Sequence, residues 1–288
     1  MNKIPVGQTI RSAYAFAFGH LGSIIGLVWA PLVLAAVLQF LPYAMGYDTS
    51  AMPENATVAG QRALLGLGTF FLTILLQAMI ATAVTQFALG LRPGGAIFHI
   101  AAGPAEFRLF GAILLYYVVC FCMGMAFGLL GLVLAAVAKA PAVTLAASLI
   151  LIAALCALIY IAVRLGFLLA PVTVAEQHVS LSRGWILMKG NFWRSFAVIL
   201  SVIVPYILIV YAIIVAMVGP AHLFAPFPTN ADAIAADMEQ RFAPLRAHMP
   251  LYIGLTLIIA PFGIGLNLGA AAAAYRTLAA EHAREPAG

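Results

Sequence analysis

Charge is what this chain has least of. Only 8% of its 288 residues are Asp, Glu, Lys or Arg, against about 25% in a soluble domain. Apolar residues make up 65%, and the mean hydropathy is +1.08. A water-soluble protein cannot hide that much apolar surface, because much of any folded chain must face water. Cysteine is scarce too. Cys120, Cys122 and Cys156 all lie inside apolar runs. Their odd number and setting exclude a disulfide framework, and no CxxC or Cys/His spacing suggests zinc. Also missing are GxSxG, a Walker loop, HExxH and paired carboxylates. The six histidines form no ligand set. No catalytic residue, metal site or cofactor is therefore expected.

What the chain has instead is long apolar runs. Backbone N–H and C=O groups find no partners in hydrocarbon, so only helices and closed barrels can cross a bilayer. Barrel strands would alternate over about ten residues. These runs are continuous and meet the roughly 20 residues a helical crossing needs. Six spans are expected, at 21–45, 63–90, 107–138, 142–170, 195–219 and 250–275. The chain thus reads as a single all-α, polytopic membrane domain over 1–288, with an outer loop at 220–249. The breaks "GYDTSAMPENAT", "LRPGG" and "AKAP" carry the turn residues that end helices.

Orientation follows from the basic residues. With the N-terminus inside, ten of the fourteen Lys and Arg fall on the cytoplasmic side and four outside. Both termini are then cytoplasmic. The net charge of +5 is spread over the ends of apolar runs, which excludes a nucleic-acid face.

Three segments echo one another: "IRSAYAFAFGHLGSIIGL" (10–27), "IFHIAAGPAEFRLFGAIL" (97–114) and "RGWILMKGNFWRSFAVIL" (183–200). Each is a short amphipathic stretch, a glycine, interfacial residues, then a span. They predict a threefold repeat of interfacial helix plus helical hairpin. In the third, a flat helix over 179–190 would turn Leu181, Trp185 and Met188 down, with Arg183 and Lys189 at the water boundary. Gly190 would end it, and Asn191 would cap the next span. Arg183, Trp185, Lys189, Trp193 and Arg194 become candidates for holding an anionic lipid headgroup.

Those residues also carry a resemblance. "VRLGFLLAPVTVAEQHVS" followed by "LSRGWILMKGNFWRSFAVIL", with the N-terminal "VGQTIRSAYAFAFGHLGSIIGL", resembles the membrane domain of some bacterial glycerophosphoryl diester phosphodiesterases and its stand-alone relatives. The resemblance implies a six-helix bacterial inner-membrane module. It does not imply the phosphodiesterase activity. That chemistry belongs to a separate soluble domain, for which no room is expected before the chain stops at Gly288.

Within the spans a few polar residues stand out. Thr69, Thr73, Gln77, Ala81 and Thr85 recur every four residues, which stacks them on one helix face. That face predicts either close bundle packing or the lining of a polar path. Asn267 in span six invites the same two readings. Arg164 either snorkels to the boundary or is embedded, with Glu176 or Glu106 as its partner. Pro205 and Pro261 are expected to kink or break their helices. Three GxxxG pairs, starting at Gly22, Gly124 and Gly265, predict close crossings. In the outer loop, Thr229 and Asp232 have capping-box spacing, and Ile234, Met238 and Phe242 make one apolar face.

On these residues the expected function is a non-enzymatic inner-membrane module supporting envelope or lipid homeostasis, or scaffolding partners. A transporter or channel for a lipid or small amphiphile is the alternative. A membrane enzyme built on Glu106, Glu176 and His178 is third. The partners expected are membrane lipids, with protein partners or a second copy of the chain also open.

Overall fold

In a computed structural model of the chain, the described residues are 3–44, 56–92, 100–137, 141–223 and 231–282. Among them, every regular element is an α-helix. A short α1 (Val6–Gly19) leads into α2 (Leu21–Ala44). Then come α3 (Ala56–Leu89), α4 (Pro104–Val137), α5 (Pro141–Gly166) and α6 (Leu169–Glu176). The second half holds α7 (Leu181–Leu187), α8 (Phe192–Val218), α9 (Pro220–Leu223), α10 (Ala231–Ala247) and α11 (Met249–His282). Six of these stretches are long and apolar enough to cross a membrane, counting α5 with α6 as one. The protein is an all-α, multi-pass membrane protein.

Several boundaries differ from the apolar runs. The third helix starts at Ala56 and the last continues to His282, because a helix does not end where hydrophobicity does. The fourth span breaks at residues 167–168 and resumes as α6. Pro171 sits in the first turn of α6, where a missing N–H costs nothing. The expected breaks at 46–55, 93–95 and 138–140, together with Thr229 and His99, lie outside the described residues.

Helix α11 is the central post, touching α1, α2, α3, α6, α8 and α10. Its glycines decide how closely they come. A Cβ on Gly265 would meet Ile24 Cδ1 at 2.7 Å, one on Gly269 would meet Phe16 Cδ1 at 2.8 Å, and one on Gly263 would meet the Tyr206 ring at 2.7 Å. So Gly265-x-x-x-Gly269 is a real close crossing. Gly22, Gly124 and Gly128 have nothing within 4 Å, so the other two expected crossings are absent at those positions. A bare glycine pair carries no information about whether a neighbour faces it.

The first of the expected surface helices does not lie apart from the bundle. Phe16 and Ala17 of α1 meet Gly269 and Gly265, while Pro5 and Thr9 share a groove with Ala273 and Thr277. The helix therefore runs antiparallel along α11, burying Thr9, Ala13 and Ala17 at four-residue intervals. The second counterpart falls largely on 93–99, outside the described residues, and 100–103 are not helical. Gly103, Pro104 and Glu106 instead form the start of α4. Proline occupies the first helical position, and Glu106 Oε2 accepts from the Gly103 N–H at 3.0 Å.

Neither Pro205 nor Pro261 breaks its helix. Proline at 205 removes the N–H that the Ser201 carbonyl would accept. Tyr14 replaces it, its hydroxyl donating to Ser201 O at 3.0 Å. The helix expected in the outer loop is α10. Ile234 and Met238 are exposed, whereas Arg241 is buried and paired with Asp237.

This packing sets two expectations for stability. Gly265→Leu should lower it by about 1–3 kcal/mol through overpacking, while Gly124→Leu leaves it unchanged, as read by thermal unfolding in detergent. Tyr14→Phe should cost about 1 kcal/mol. In a Pro205→Ala background it should cost little, because alanine at that position restores the backbone donor to Ser201; a double-mutant cycle measures the difference.

Candidate functional site

Two places concentrate polar groups: a cavity among the spans, and the junction of α6, α7 and α8. The cavity has a volume of about 450 Å³ and lies between α3, α4, α5–α6, α8 and α11. Its walls follow helical periodicity. Gln77 and Ala81 come from α3, Leu109, Ile113 and Tyr116 from α4, and Asn267 and Ala271 from α11. Gly166 opens one wall, since a Cβ there would lie 3.2 Å from the Tyr116 ring. Most of the lining is aliphatic. Its polar side chains are those of Gln77, Asn267, Tyr116 and Tyr117, and neither amide has a hydrogen-bond partner among the described residues. Gln77 is about 18 Å of helix from the Leu89 end of α3, at 1.5 Å per residue. Both amides are exposed, so the cavity is open at their side chains.

The polar stripe on α3 therefore divides. Gln77 reaches the cavity, joined across the bundle by Asn267. Thr69 and Thr73 are half-buried elsewhere and do not line it. Thr85 is fully buried, and its hydroxyl, like those of Thr82 and Thr173, has no hydrogen-bond partner among the described residues. A continuous polar path through all of these residues does not form.

The α6–α7–α8 junction is built around the stretch 182–196. Ser180 caps α7, its hydroxyl accepting from the Arg183 N–H at 3.1 Å. Gly190, with φ of +75°, makes the turn into α8. Leu181 and Met188 do turn inward, but onto protein. Met188 is fully buried in the core shared by α1, α8 and α11, and Leu181 packs beside Leu109. Asn191 sits at the start of α8 without capping it. Its Oδ1 accepts from the Ile4 N–H at 3.0 Å, and Arg194 Nη1 donates to the Ile4 carbonyl at 3.1 Å. The N-terminal segment is thus gripped on both sides of Ile4, which is fully buried.

The candidate headgroup residues separate in the same way. Arg183 Nε pairs with Glu176 Oε1 at 3.1 Å, an oxygen that also accepts from Tyr275 OH at 3.3 Å. Arg194 is occupied by Ile4. Lys189 and Trp193 remain exposed, Trp193 at 76%. Trp185 covers Arg164, with the guanidinium carbon 3.7 Å from the ring centroid.

Arg164 is embedded, at 9% exposure. Neither expected acid answers it, since Glu176 holds Arg183 and Glu106 caps α4. Its Nε and Nη2 donate instead to the Trp185 carbonyl at 3.3 and 3.2 Å, and Nη1 donates to Tyr160 OH at 2.7 Å. Trp185 lies in the last turn of α7, where carbonyls lack helical partners. Sequence reasoning missed Tyr160, although its spacing of four from Arg164 was a visible signal. Tyr14, Ile4 and Tyr275 gave none.

His178 stays beside Glu176, its Nδ1 donating to the Glu176 carbonyl at 3.0 Å. Among the described residues no three His, Cys, Asp or Glu side chains gather as a metal site would require. The chain matches no protein-family model, no curated protein and no solved structure.

Asn191→Ala would leave the buried Ile4 N–H without an acceptor. It should cost about 1–3 kcal/mol and raise proteolysis near the N-terminus, as seen by limited digestion and mass spectrometry.

Proposed function

We propose that this protein is a non-enzymatic membrane module that takes the apolar part of a lipid-like amphiphile into the cavity between α3, α4, α5–α6, α8 and α11. The observation that carries this reading is the pair of exposed amides, Gln77 and Asn267, which have no partner among the described residues and face a mostly aliphatic cavity of about 450 Å³. That volume falls within the roughly 300–1,000 Å³ of small-molecule sites. An amide at membrane depth without a partner is costly, so an occupant bearing a carbonyl, ester or hydroxyl would relieve both. The lining favours binding over chemistry, because its polar side chains are two amides and two phenols, Tyr116 and Tyr117, with no carboxylate, histidine or cysteine in the lining among the described residues. It also favours a binding site over a conduction path, since Thr69 and Thr73 lie outside it.

The cellular setting belongs to the same reading. Ten basic residues against four support cytoplasmic termini, and the family resemblance supports a bacterial inner membrane. Support for envelope or lipid homeostasis is the role that fits, in keeping with the resemblance to the membrane domain of glycerophosphoryl diester phosphodiesterases.

The test is the double variant Gln77→Leu/Asn267→Leu. Protein purified in mild detergent should carry a lipid-like molecule identifiable by mass spectrometry. The variant should hold it roughly thirtyfold more weakly, the worth of two hydrogen bonds at about 1 kcal/mol each. Its thermal stability should hold or rise, because two unpartnered polar groups are gone. A variant that retains the same molecule equally well would remove the cavity from the account.

A further inference from the structure

We propose a second site: Arg164, Tyr160 and Trp185 form a receptor for the phosphate headgroup of an anionic membrane lipid. Charge balance points to this site. Arg183 has Glu176 and Arg241 has Asp237, but among the described residues no carboxylate pairs with Arg164. Its partners are a carbonyl and a phenol, which are dipoles. Dipoles orient a guanidinium without cancelling its charge. An embedded cation at 9% exposure lacks the water that would otherwise screen it, so an anion at this point is strongly favoured.

Donor arithmetic gives the class of anion. A guanidinium has five N–H groups. Two point at the Trp185 carbonyl and one at Tyr160 OH, which leaves two. Tyr160 accepts from Arg164, so its own hydroxyl hydrogen is free to donate. Three donors therefore converge from Arg164 and Tyr160. The Trp185 ring covers one face of the guanidinium at 3.7 Å, so a ligand must approach in the plane, along the free edge. A planar fork with a further hydroxyl suits the several oxygens of a phosphate.

The surroundings decide for a lipid over a soluble anion. Tyr160 is exposed and packs on Phe192 at 4.7 Å, which in turn touches Trp193. Ile186 in α7 is exposed at 54%. An arriving ligand meets apolar and aromatic surface around the cation, as a headgroup with acyl chains would require. Lys189, in the same α7–α8 turn, adds an exposed positive charge. The site is separate from the cavity. Ala162 and Gly166, two residues either side of Arg164, line the cavity, and at about 100° per residue they lie on the opposite face of α5.

The test uses the full chain in mild detergent, titrated with phosphatidylglycerol, phosphatidylcholine or inorganic phosphate, and read by native mass spectrometry and thermal unfolding. Wild-type protein should bind phosphatidylglycerol in preference to phosphatidylcholine, and inorganic phosphate should neither bind nor compete at millimolar levels. Arg164→Gln should weaken phosphatidylglycerol about tenfold and leave phosphatidylcholine unchanged. Unaltered phosphatidylglycerol affinity in that variant overturns the site and leaves Arg164 a structural cap. Stabilisation by inorganic phosphate equal to that by the lipid overturns the lipid assignment. Should Arg164→Gln fail to fold, Tyr160→Phe keeps the ring on Phe192 and removes only the hydroxyl. A threefold or greater loss for phosphatidylglycerol alone, roughly one weak hydrogen bond, upholds the site, and no loss overturns it.

Discussion

A backbone carbonyl that its own helix leaves unsatisfied calls for another donor, and four such carbonyls tie this architecture together. Ser201 is orphaned by Pro205 and answered by Tyr14. Trp185 ends α7 and is answered by Arg164. Gln177, in the left-handed conformation that closes α6, is answered by Arg108 at 2.9 Å. Ile4 precedes α1 and is answered by Arg194. Each bond ties together elements far apart in sequence. In lipid the cost of leaving such a group bare is several kcal/mol, so the part-buried contacts at Ser201, Trp185 and Ile4 weigh most, while the Gln177 carbonyl is at an exposed site.

This recasts what the basic residues do. Counting them by side treats each as a free charge at a membrane surface. Arg108, Arg164 and Arg194 are committed to carbonyls, and Arg183 to Glu176. Arginine suits this work because its charge persists at any depth and its fork reaches two directions at once. The orientation bias and the internal capping are therefore not competing explanations. A residue placed near the boundary by one constraint is available for the other.

The helical membrane class was legible in the sequence because it depends on one averaged quantity, apolar length. Individual polar partnerships were not. Periodicity reports which residues share a helix face, so it found Gln77 with Ala81, and it could have found Tyr160 with Arg164. It says nothing about the opposing helix. That is why Asn191 read as a cap although it binds Ile4, 187 residues away. The same blindness explains the glycine pairs: Gly265 and Gly269 face Ile24 and Phe16, while Gly124 and Gly128 face open space. Asn267 was visible as unusual, but its sharing a cavity with Gln77 needed the fold.

The grip on Ile4 has a consequence for the order of assembly. A chain made from its N-terminus inserts α1 and α2 long before Asn191 and Arg194 exist. For most of synthesis the first residues have no docking place, and neither does the face of α1 that later lies on α11. Contacts this distant in sequence form late. A segment made before α8 and α11 is thus among the last to settle, and its seating waits until α11 has arrived.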